Sequence, residues 1–351
     1  MWRDDLAMEH VALSRAQDQL GMCALHLHTG NSILCKSIKM KTIEGYLRAV
    51  GSFATYFRND RRDPRFDKPG DKAYSPHIRK LLDDFKQYED VPNRQEPFTV
   101  EMLDFARAWA DEFGDEDSYL AALADWHVIG LHAGLRKSEW AQPGYSQCDP
   151  EDPELNPRGD PQAFCINDVE IETLDRKRHK GLRCLLVGPN DVRKMWITFR
   201  MQKNKNHGER RMFTRAMLDG AHCFIQAMFR IMLRFQRLWG KDAASTPLAM
   251  YKDEDGRVVM VTPGVVEKHM RTIASKVCGI TQKEDLARWS CHSLRVGACV
   301  LLHALGYTET QLQWLLRWKS DAFTAYLRNL AGLADKHALA LDKAAAMPHF
   351  F

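Results

Sequence analysis

The last hundred residues of the chain contain an ordered set of side chains that could act on a phosphodiester. His292 and Arg295 lie three residues apart, a spacing that places both on one face of a helical turn. Trp318 follows Arg295 by 23 residues, and Tyr326 follows Trp318 by eight. Arginine binds phosphate oxygens through a planar, permanently charged fork, and tyrosine can act as a nucleophile. The order and spacing therefore predict a site that holds a phosphodiester and attacks it.

Cleavage of a phosphodiester without a metal ion needs three kinds of group. A nucleophile attacks phosphorus, cations or donors stabilise charge on the non-bridging oxygens, and an acid protonates the departing oxygen. Each side chain alone has a plainer interpretation, because a His-x-x-Arg sequence is common and Trp318 or Tyr326 could simply be core residues. Tyr307 is a second tyrosine nearby, but it follows Gly306, a predicted helix end, and precedes Trp318. The complete ordered set is therefore what favours a catalytic function.

Two further groups far upstream complete a known pattern. His292, Arg295, Trp318 and Tyr326 resemble the C-terminal motif of the tyrosine recombinases, the phage-integrase family, and Arg136 begins an Arg-x-x-Glu sequence that resembles the family's first arginine motif. The resemblance covers about residues 95–330 as a catalytic domain and, more loosely, residues 1–90 as a helical core-binding domain. The sequence around Trp318 further resembles recombinases of the Crypton and DIRS-like mobile elements of eukaryotes.

The family's lysine lies on a β-hairpin, and two residues here compete for that position. Lys203 fits best, and Lys205 is the alternative at the same predicted hairpin tip. One departure from the family is the distance from Trp318 to Tyr326, which is eight residues where the family usually has nine. A Ser320 or Asp321 cap would still deliver the tyrosine in the second turn of a helix.

The resemblance implies a role for each motif residue. Tyr326 would attack the scissile phosphate and form a 3′-phosphotyrosine, which frees a 5′-hydroxyl group. Arg136 and Arg295 would bind the non-bridging oxygens, and Lys203 would protonate the leaving oxygen. His292 would serve as acid and base beside the tyrosine, because imidazole titrates near neutral pH.

The remaining implied roles are supporting ones. Trp318 would donate its indole N–H to the phosphate or pack against the segment that carries the tyrosine. Glu139, one turn from Arg136, would hold that arginine or the backbone beside it. Neither a metal ion nor ATP nor any other cofactor is expected, and four protomers are expected to assemble on two DNA duplexes as a homotetramer.

Length and composition agree with a two-domain globular protein. The chain has 351 residues, of which 45% are hydrophobic and 27% charged. The net charge is unevenly distributed: residues 1–94 carry 16 Lys and Arg against 13 Asp and Glu, residues 95–165 carry 4 against 15, and residues 166–351 carry 30 against 18. A basic half beside an acidic segment favours double-stranded DNA as a partner.

Other sequence features exclude several classes. There is no apolar run of membrane-spanning length and no secretory signal pattern, so an intracellular protein without a membrane partner is expected: in the nucleus if the host is eukaryotic, in the cytoplasm if it is bacterial. Nine cysteines occur without a Cys-x-x-Cys pair, which indicates reduced thiols and no zinc site.

The pattern of elements predicts a mainly α fold with a small antiparallel β-sheet. It divides the chain into a helical core-binding domain at 1–90, a linker at 91–98, a catalytic domain at 99–330 and a C-terminal helical tail at 331–351. Thr99 is predicted to cap a helix, and Thr308 to form a capping box with Gln311. Further helices are predicted near 42–53, 76–88 and 118–132, and strands near 163–171, 183–187, 195–199 and 211–214. The tail could dock on a neighbouring protomer or fold back on its own domain.

Basic residues of the N-terminal part are candidate contacts to DNA phosphates. A charge run is usually a solvated surface, so each residue alone carries little information. The candidates are Lys36, Lys39, Lys41, Arg48 and Arg58.

Two other functions remain open from the sequence. A type IB topoisomerase uses the same chemistry to relax supercoils as a monomer. A domesticated, non-catalytic DNA-binding protein would retain the fold alone. The DNA site and the choice among integration, excision and inversion are not encoded in any pattern that the sequence shows.

Overall fold

The computed structural model describes residues 2–30, 38–57, 63–67, 73–88, 94–141, 163–200, 207–215, 222–240, 246–318 and 321–327, with the backbone alone described at 2–12, 53–57, 321, 322 and 325. The chain divides into two compact units, Met1–Asn93 and Arg94–Phe351. Among the described residues, no helix is both long enough and apolar enough to cross a membrane.

The first unit is built from helices. They are α1 (Trp2–His28), α2 (Met40–Phe57) and α3 (Pro76–Tyr88). Apolar side chains at helical spacing form its core, because each helix turns one apolar face toward the other two. The buried members are Leu20, Ala24, Ile43, Leu47, Ile78, Leu82 and Phe85.

Helices also dominate the second unit. They are α4 (Val100–Phe113), α5 (Tyr119–Ala133), α6 (Lys137–Trp140), α7 (Phe224–Leu238), α8 (Pro263–Cys278), α9 (Lys283–Leu286), α10 (Ser293–Ala304) and α11 (Glu309–Leu316), followed by a 3₁₀ helix at Asp321–Tyr326. Two predicted caps are confirmed: Thr99 accepts from the N–H of Met102 at 3.2 Å, and Thr308 and Gln311 form a capping box.

Two antiparallel sheets complete the second unit. The larger has the strand order β2-β1-β3-β4, and the smaller pairs β5 with β6. The strands are β1 (Val169–Thr173), β2 (Arg178–Lys180), β3 (Val192–Phe199), β4 (Glu209–Thr214), β5 (Met250–Lys252) and β6 (Val258–Met260). The prediction of a mainly helical protein with a small antiparallel sheet is confirmed.

Helix α5 is the centre of the second unit and packs against α4, α7 and α10. It is buried along almost its whole length, which explains why its sequence is apolar on every side. The helix ends at Gly134, whose φ of +54° is the left-handed conformation that glycine adopts without strain. A Cβ atom there would also meet Leu316 at 2.6 Å, so α11 packs directly over this end of α5.

Two predicted strands are wrong in whole or in part. The strand predicted at 163–171 begins only at Val169, after a 3₁₀ turn at Ile166–Asp168. The predicted strand at 183–187 is a 3₁₀ helix, Gly181–Leu186. A short apolar run does not distinguish a strand from another buried segment, and Gly181, at φ +62°, turns the chain out of β2. The helix predicted to carry Tyr326 in its second turn is a 3₁₀ helix in which Tyr326 is the last residue.

Candidate active site

Arg136 lies where the buried helix α5 gives way to α6. It is the N-cap residue of α6, and its backbone N–H donates to Glu139 Oε2 at 2.8 Å. Its guanidinium donates through Nη1 to Glu139 Oε1 at 3.1 Å and through Nη2 to the carbonyl of Arg317 at 3.2 Å. The predicted contact between Glu139 and Arg136 is thus present in both the side chain and the backbone. Two of the five N–H donors of Arg136 make these side-chain bonds, and the other three have no partner among the described residues.

Arg295 enters the same region from the first turn of α10 and is 2% exposed. Its Nη1 donates to the carbonyl of Gly134 at 2.6 Å, and its Nη2 donates to the carbonyl of Leu316. Helix α10 therefore fastens the end of α5 to the end of α11 through one guanidinium. Burial, together with the positive charges of Arg136 and Arg317, lowers the pKa of Arg295 to about 9. Such clustering of like charge, without a carboxylate bonded to Arg295, is typical of a site that awaits an anion.

His292 and Tyr326 meet directly although they are 34 residues apart. His292 Nε2 and the Tyr326 hydroxyl share a hydrogen bond of 2.9 Å, and both side chains are half-buried. His292 is the N-cap residue of α10, just before the helix begins. His292 and Arg295 face the same side, that of Trp318 and Tyr326. His292 bonds to Tyr326, and Arg295 lies over the Trp318 ring that contacts Tyr326.

Burial, with the positive charges of Arg295 and Arg136 acting in the same direction, lowers the pKa of His292 to about 4, so the near-neutral pKa expected from the sequence is wrong. The imidazole is therefore neutral at pH 7 in the free protein. A neutral ring protonated on Nδ1 presents a lone pair on Nε2, so the phenol O–H of Tyr326 donates to it. This is the arrangement of a nucleophile beside its general base.

Trp318 connects the arginine and tyrosine parts of the site. The Arg295 guanidinium lies over its ring at 4.4 Å, and the Tyr326 ring centroid lies 5.4 Å away. Phe323 contacts the same indole edge to face at 6.3 Å. The indole Nε1 is buried and has no hydrogen-bond partner in the described part of the chain. Of the two roles implied for Trp318, packing against the tyrosine segment is the one that these contacts support.

The predicted hairpin lysines, Lys203 and Lys205, lie outside the described residues. The strands on either side are described, and the base of this hairpin closes where Gly208 N–H donates to the Phe199 carbonyl at 2.8 Å. Phe199, the last residue of β3, lies with its ring 3.6 Å from the Arg317 guanidinium. The end of β3 and the beginning of β4 therefore lie beside Arg317, which with Arg136 and Arg295 forms an arginine cluster.

Arg317 belongs to the cluster but carries no role predicted from the sequence. It is 4% exposed and donates to both oxygens of Glu139, at 2.9 Å and 3.0 Å. The only feature of the sequence that associates Arg317 with the site is its position directly before Trp318. The hydrogen bonds to Glu139 span 178 residues, which no local pattern reveals.

The structure thus brings together Arg136, His292, Arg295, Trp318 and Tyr326, with Glu139 behind them. Which of them perform catalysis stays a prediction. The predicted DNA contacts lie in the other unit: Lys39 and Lys41 are exposed at the beginning of α2, and Arg48 is exposed in its middle. Lys36 and Arg58 lie outside the described residues, as does the predicted tail at 331–351. Within the described ranges, no group of three or more His, Cys, Asp or Glu side chains could hold a metal ion.

No protein-family model matches the chain, and no curated protein matches it. Similar solved structures include the Tn1549 transposon integrase in complex with transposon right end DNA, at 17% identity and a TM-score of 0.45, covering 93% of this chain and 85% of that one. The same integrase in complex with a circular intermediate DNA has 16% identity and a TM-score of 0.44, with coverage of 93% and 85%. The XerA recombinase has 12% identity and a TM-score of 0.38, with coverage of 94% and 90%. Because these TM-scores are below 0.5, a function has to be argued from the site itself.

Proposed function

We propose that this chain is a tyrosine-type site-specific DNA recombinase, which cleaves and rejoins DNA through a 3′-phosphotyrosine intermediate. The observation that carries the proposal is the 2.9 Å hydrogen bond between the Tyr326 hydroxyl and His292 Nε2, beside the buried guanidinium of Arg295. A nucleophile, a neutral base and two phosphate-binding cations are thereby assembled from distant parts of the sequence.

In the first step Tyr326 attacks phosphorus. Its hydroxyl proton passes to His292 Nε2 as the Tyr–O–P bond forms and the bond to the 5′-oxygen breaks. A neutral imidazole can accept that proton, and the lowered pKa of His292 keeps it neutral before DNA binds. A bound phosphodiester carries negative charge next to the imidazole and so raises its pKa, which strengthens it as a base when the substrate is present.

The arginine cluster matches the charge that develops at phosphorus. Arg136, Arg295 and Arg317 contribute three positive charges, and the buried carboxylate of Glu139 removes one, which leaves a net charge of +2. A phosphodiester carries one negative charge, and its five-coordinate transition state carries two. Fixed cations of this kind stabilise the transition state more than the substrate, which is the requirement for catalysis.

The leaving 5′-oxygen needs a proton, which we assign to Lys203. In the second step the 5′-hydroxyl of a partner strand attacks the phosphotyrosine and gives its proton to Lys203, while the bond from phosphorus to Tyr326 breaks and Tyr326 recovers its proton from His292. The phosphotyrosine conserves the energy of the broken bond, so the mechanism requires neither ATP nor a metal ion. The basic charge of residues 166–351, with 30 Lys and Arg against 18 Asp and Glu, supports duplex DNA as the substrate.

Exchange between two duplexes involves four cleavage events, so we propose that four protomers act together on DNA. Within that proposal the exposed Lys39, Lys41 and Arg48 of the first unit contact DNA phosphates. The protein then works where its DNA lies, in the nucleus of a eukaryote or in the cytoplasm of a bacterium.

The experiment uses DNA taken from the terminal repeats that flank the gene, nicked close to the cleavage site so that the freed end is lost. Wild-type protein should form a covalent adduct, and Tyr326→Phe should bind the same DNA without forming one. Tyr307→Phe is the matched control, because Tyr307 is the other tyrosine near the site, and it should form the adduct normally. An adduct in Tyr326→Phe, or its loss only in Tyr307→Phe, would overturn the assignment.

The same assay separates the two alternatives. Relaxation of any supercoiled plasmid, without a target sequence and by a monomer, indicates a type IB topoisomerase. Binding to the element ends without an adduct from any variant indicates a non-catalytic DNA-binding protein.

A further inference from the structure

Arg317 is the most tightly bound guanidinium of the cluster. Its Nη1 and Nη2 make a two-point contact with the Glu139 carboxylate, at 2.9 Å and 3.0 Å. Nη2 also donates to the carbonyls of Ala133 and Gly134, at 3.1 Å and 3.3 Å. These bonds join the end of α11 to the end of α5 and the start of α6. The side chain is buried, and unlike Arg295 it is paired with a carboxylate.

The backbone of Arg317 is also unusual. Its φ of +58° is left-handed, a conformation that glycine adopts freely and that costs other residues of order 1 kcal/mol or more. Among the described residues, only Arg176 shares a positive φ without being glycine. Residue 317 closes α11 as its C-cap, a position where glycine is the usual choice. A helix end alone therefore does not account for an arginine here.

What Arg317 contacts is the set of atoms that orient Arg136. Glu139, which Arg317 holds at both oxygens, accepts from the backbone and the side chain of Arg136. The Arg317 carbonyl accepts from Arg136 Nη2 at 3.2 Å, and the left-handed backbone sets the direction of that carbonyl. Arg136 is thus held on one side by the carboxylate that Arg317 fixes and on the other by the Arg317 backbone.

The geometry points to Arg317 as a positioning residue for Arg136: it fixes the Glu139 carboxylate so that the Arg136 guanidinium faces the scissile phosphate. This rests on the function proposed above. Arg317 also lies over Phe199 at 3.6 Å, so the same residue ties the base of the hairpin to the cluster. A bidentate fork is required, because a lysine ammonium is a point charge that cannot hold both carboxylate oxygens in one plane.

The test compares Arg317→Lys and Arg317→Gly with Arg176→Gly as the matched control. Arg317→Lys keeps the buried positive charge but loses the fork. Arg317→Gly suits the left-handed backbone, which offsets part of the stability lost with the side chain. Arg176→Gly makes the same backbone change at an exposed turn far from the site in sequence. Folded fraction is measured first by circular dichroism, and rates are compared at equal concentrations of folded protein.

We expect single-turnover cleavage of the nicked DNA to slow by about 100-fold in both Arg317 variants, because a misplacement of ~1 Å at a reacting group has that effect. DNA affinity should stay close to that of the wild type, because the charge of Arg317 is paired with Glu139. Arg176→Gly should cleave at the wild-type rate. Wild-type cleavage by folded Arg317→Lys or Arg317→Gly would overturn the inference, as would a loss that affinity alone explains.

A second measurement does not depend on cleavage. The backbone N–H of Arg136 donates to Glu139 Oε2, so its hydrogen exchange reports whether the carboxylate is held. This N–H should exchange faster in both Arg317 variants than in the wild type, and at the wild-type rate in Arg176→Gly. Unchanged exchange in the Arg317 variants would overturn the inference, whatever the cleavage assay shows. Failure of the wild-type protein to form an adduct would instead count against the proposed function.

Discussion

The guanidinium of Arg295 lies over the indole of Trp318, with 4.4 Å between the guanidinium carbon and the ring centroid. The other contacts of that indole are Tyr326 and Phe323, both on the 3₁₀ helix that ends at the tyrosine. Trp318 therefore separates the Arg295 guanidinium from the Tyr326 phenol. Its Nε1 is buried without a partner among the described residues, and these ring contacts are made by its faces and edges.

We predict that Trp318→Phe retains most cleavage activity, because phenylalanine keeps an aromatic face under Arg295 and beside Tyr326. Trp318→Ala should lose far more, by about 100-fold in the single-turnover rate, since both partners lose the surface that fixes their separation. The measurement is adduct formation on nicked DNA at saturating protein.

A large loss in Trp318→Phe, equal to that in Trp318→Ala, would contradict the packing role. It would assign the indole N–H to the phosphate, which is the other role that the family resemblance implies.

Gly297 permits α10 to approach the extended segment that precedes α4. A Cβ atom on residue 297 would lie 2.1 Å from the Phe98 carbonyl oxygen, a backbone atom that cannot rotate away. Nearby, the Phe98 N–H donates to the Ser293 carbonyl at 3.0 Å, so the two segments are fixed in register. We predict that Gly297→Ala lowers the free energy of unfolding by about 2–3 kcal/mol, as overpacking of a core does.

The matched control is Gly264→Ala, at a glycine in the first turn of α8. A Cβ there would have a single neighbour at 4.0 Å, an ordinary van der Waals distance. Alanine should be neutral or stabilising by up to about 1 kcal/mol at that position, because it has the higher helix propensity. Chemical denaturation of both variants measures the difference, and equal stability would contradict the close approach at Gly297.

A contact in the site could be predicted from the sequence only when the residues that make it are close together in the chain. His292 and Arg295 are near neighbours, and helical geometry alone predicts that they share a face. Trp318 and Tyr326 were identified by their order in the chain and by the resemblance to the tyrosine recombinases. Their spacing alone does not predict that they lie beside Arg295. The caps at Thr99 and Thr308 were predictable because a capping interaction is local.

The rest depended on contacts between distant segments. The bond from Arg317 to Glu139 joins residues 178 apart, and the positive φ of Arg317 is unexpected for a residue that is not glycine. The 3₁₀ helix that carries Tyr326 differs from an α-helix by one residue in its hydrogen-bond spacing, which no hydrophobic pattern resolves over six residues. The predicted strand at 183–187 is a 3₁₀ segment, Gly181–Leu186, for the same reason.

Lys41 and Arg48 are both exposed on α2, and seven residues of α-helix place them two turns apart on one face. We predict that Lys41→Gln and Arg48→Gln each weaken DNA binding and reduce the slope of log affinity against log salt concentration by about 0.9, the value for one lost phosphate contact on duplex DNA. Titrations at several salt concentrations give the slope directly.

Lys80→Gln, at an exposed lysine of α3 in the same unit, removes an equal charge from a residue outside the predicted set. Its slope should equal that of the wild type. An equal reduction for Lys80→Gln would show that these charges act only through the net charge of the unit, and would remove the case for a defined DNA-binding face on α2.

The lowered pKa of His292 makes the stability of the second unit depend on pH. In the folded protein this pKa is about 4, against an ordinary value of 6.5 in the unfolded chain. Between these values the unfolded chain binds a proton that the folded protein does not, so the free energy of unfolding falls as the pH decreases from about 6.5 to 4. The loss of stability is at most about 3.5 kcal/mol, because the pKa of His292 is lowered by about 2.5 at about 1.4 kcal/mol per pH unit.

Glutamine does not titrate in this range. We therefore predict that the free energy of unfolding of His292→Gln, relative to that of the wild type, rises steadily as the pH falls from about 6.5 to 4. Above pH 7.5 the difference between the two proteins should be constant. Comparison of the two proteins cancels the carboxylates that titrate in the same range. A wild-type advantage that stays constant with pH would contradict the prediction, because it would mean that folding leaves the pKa of His292 at its unfolded value.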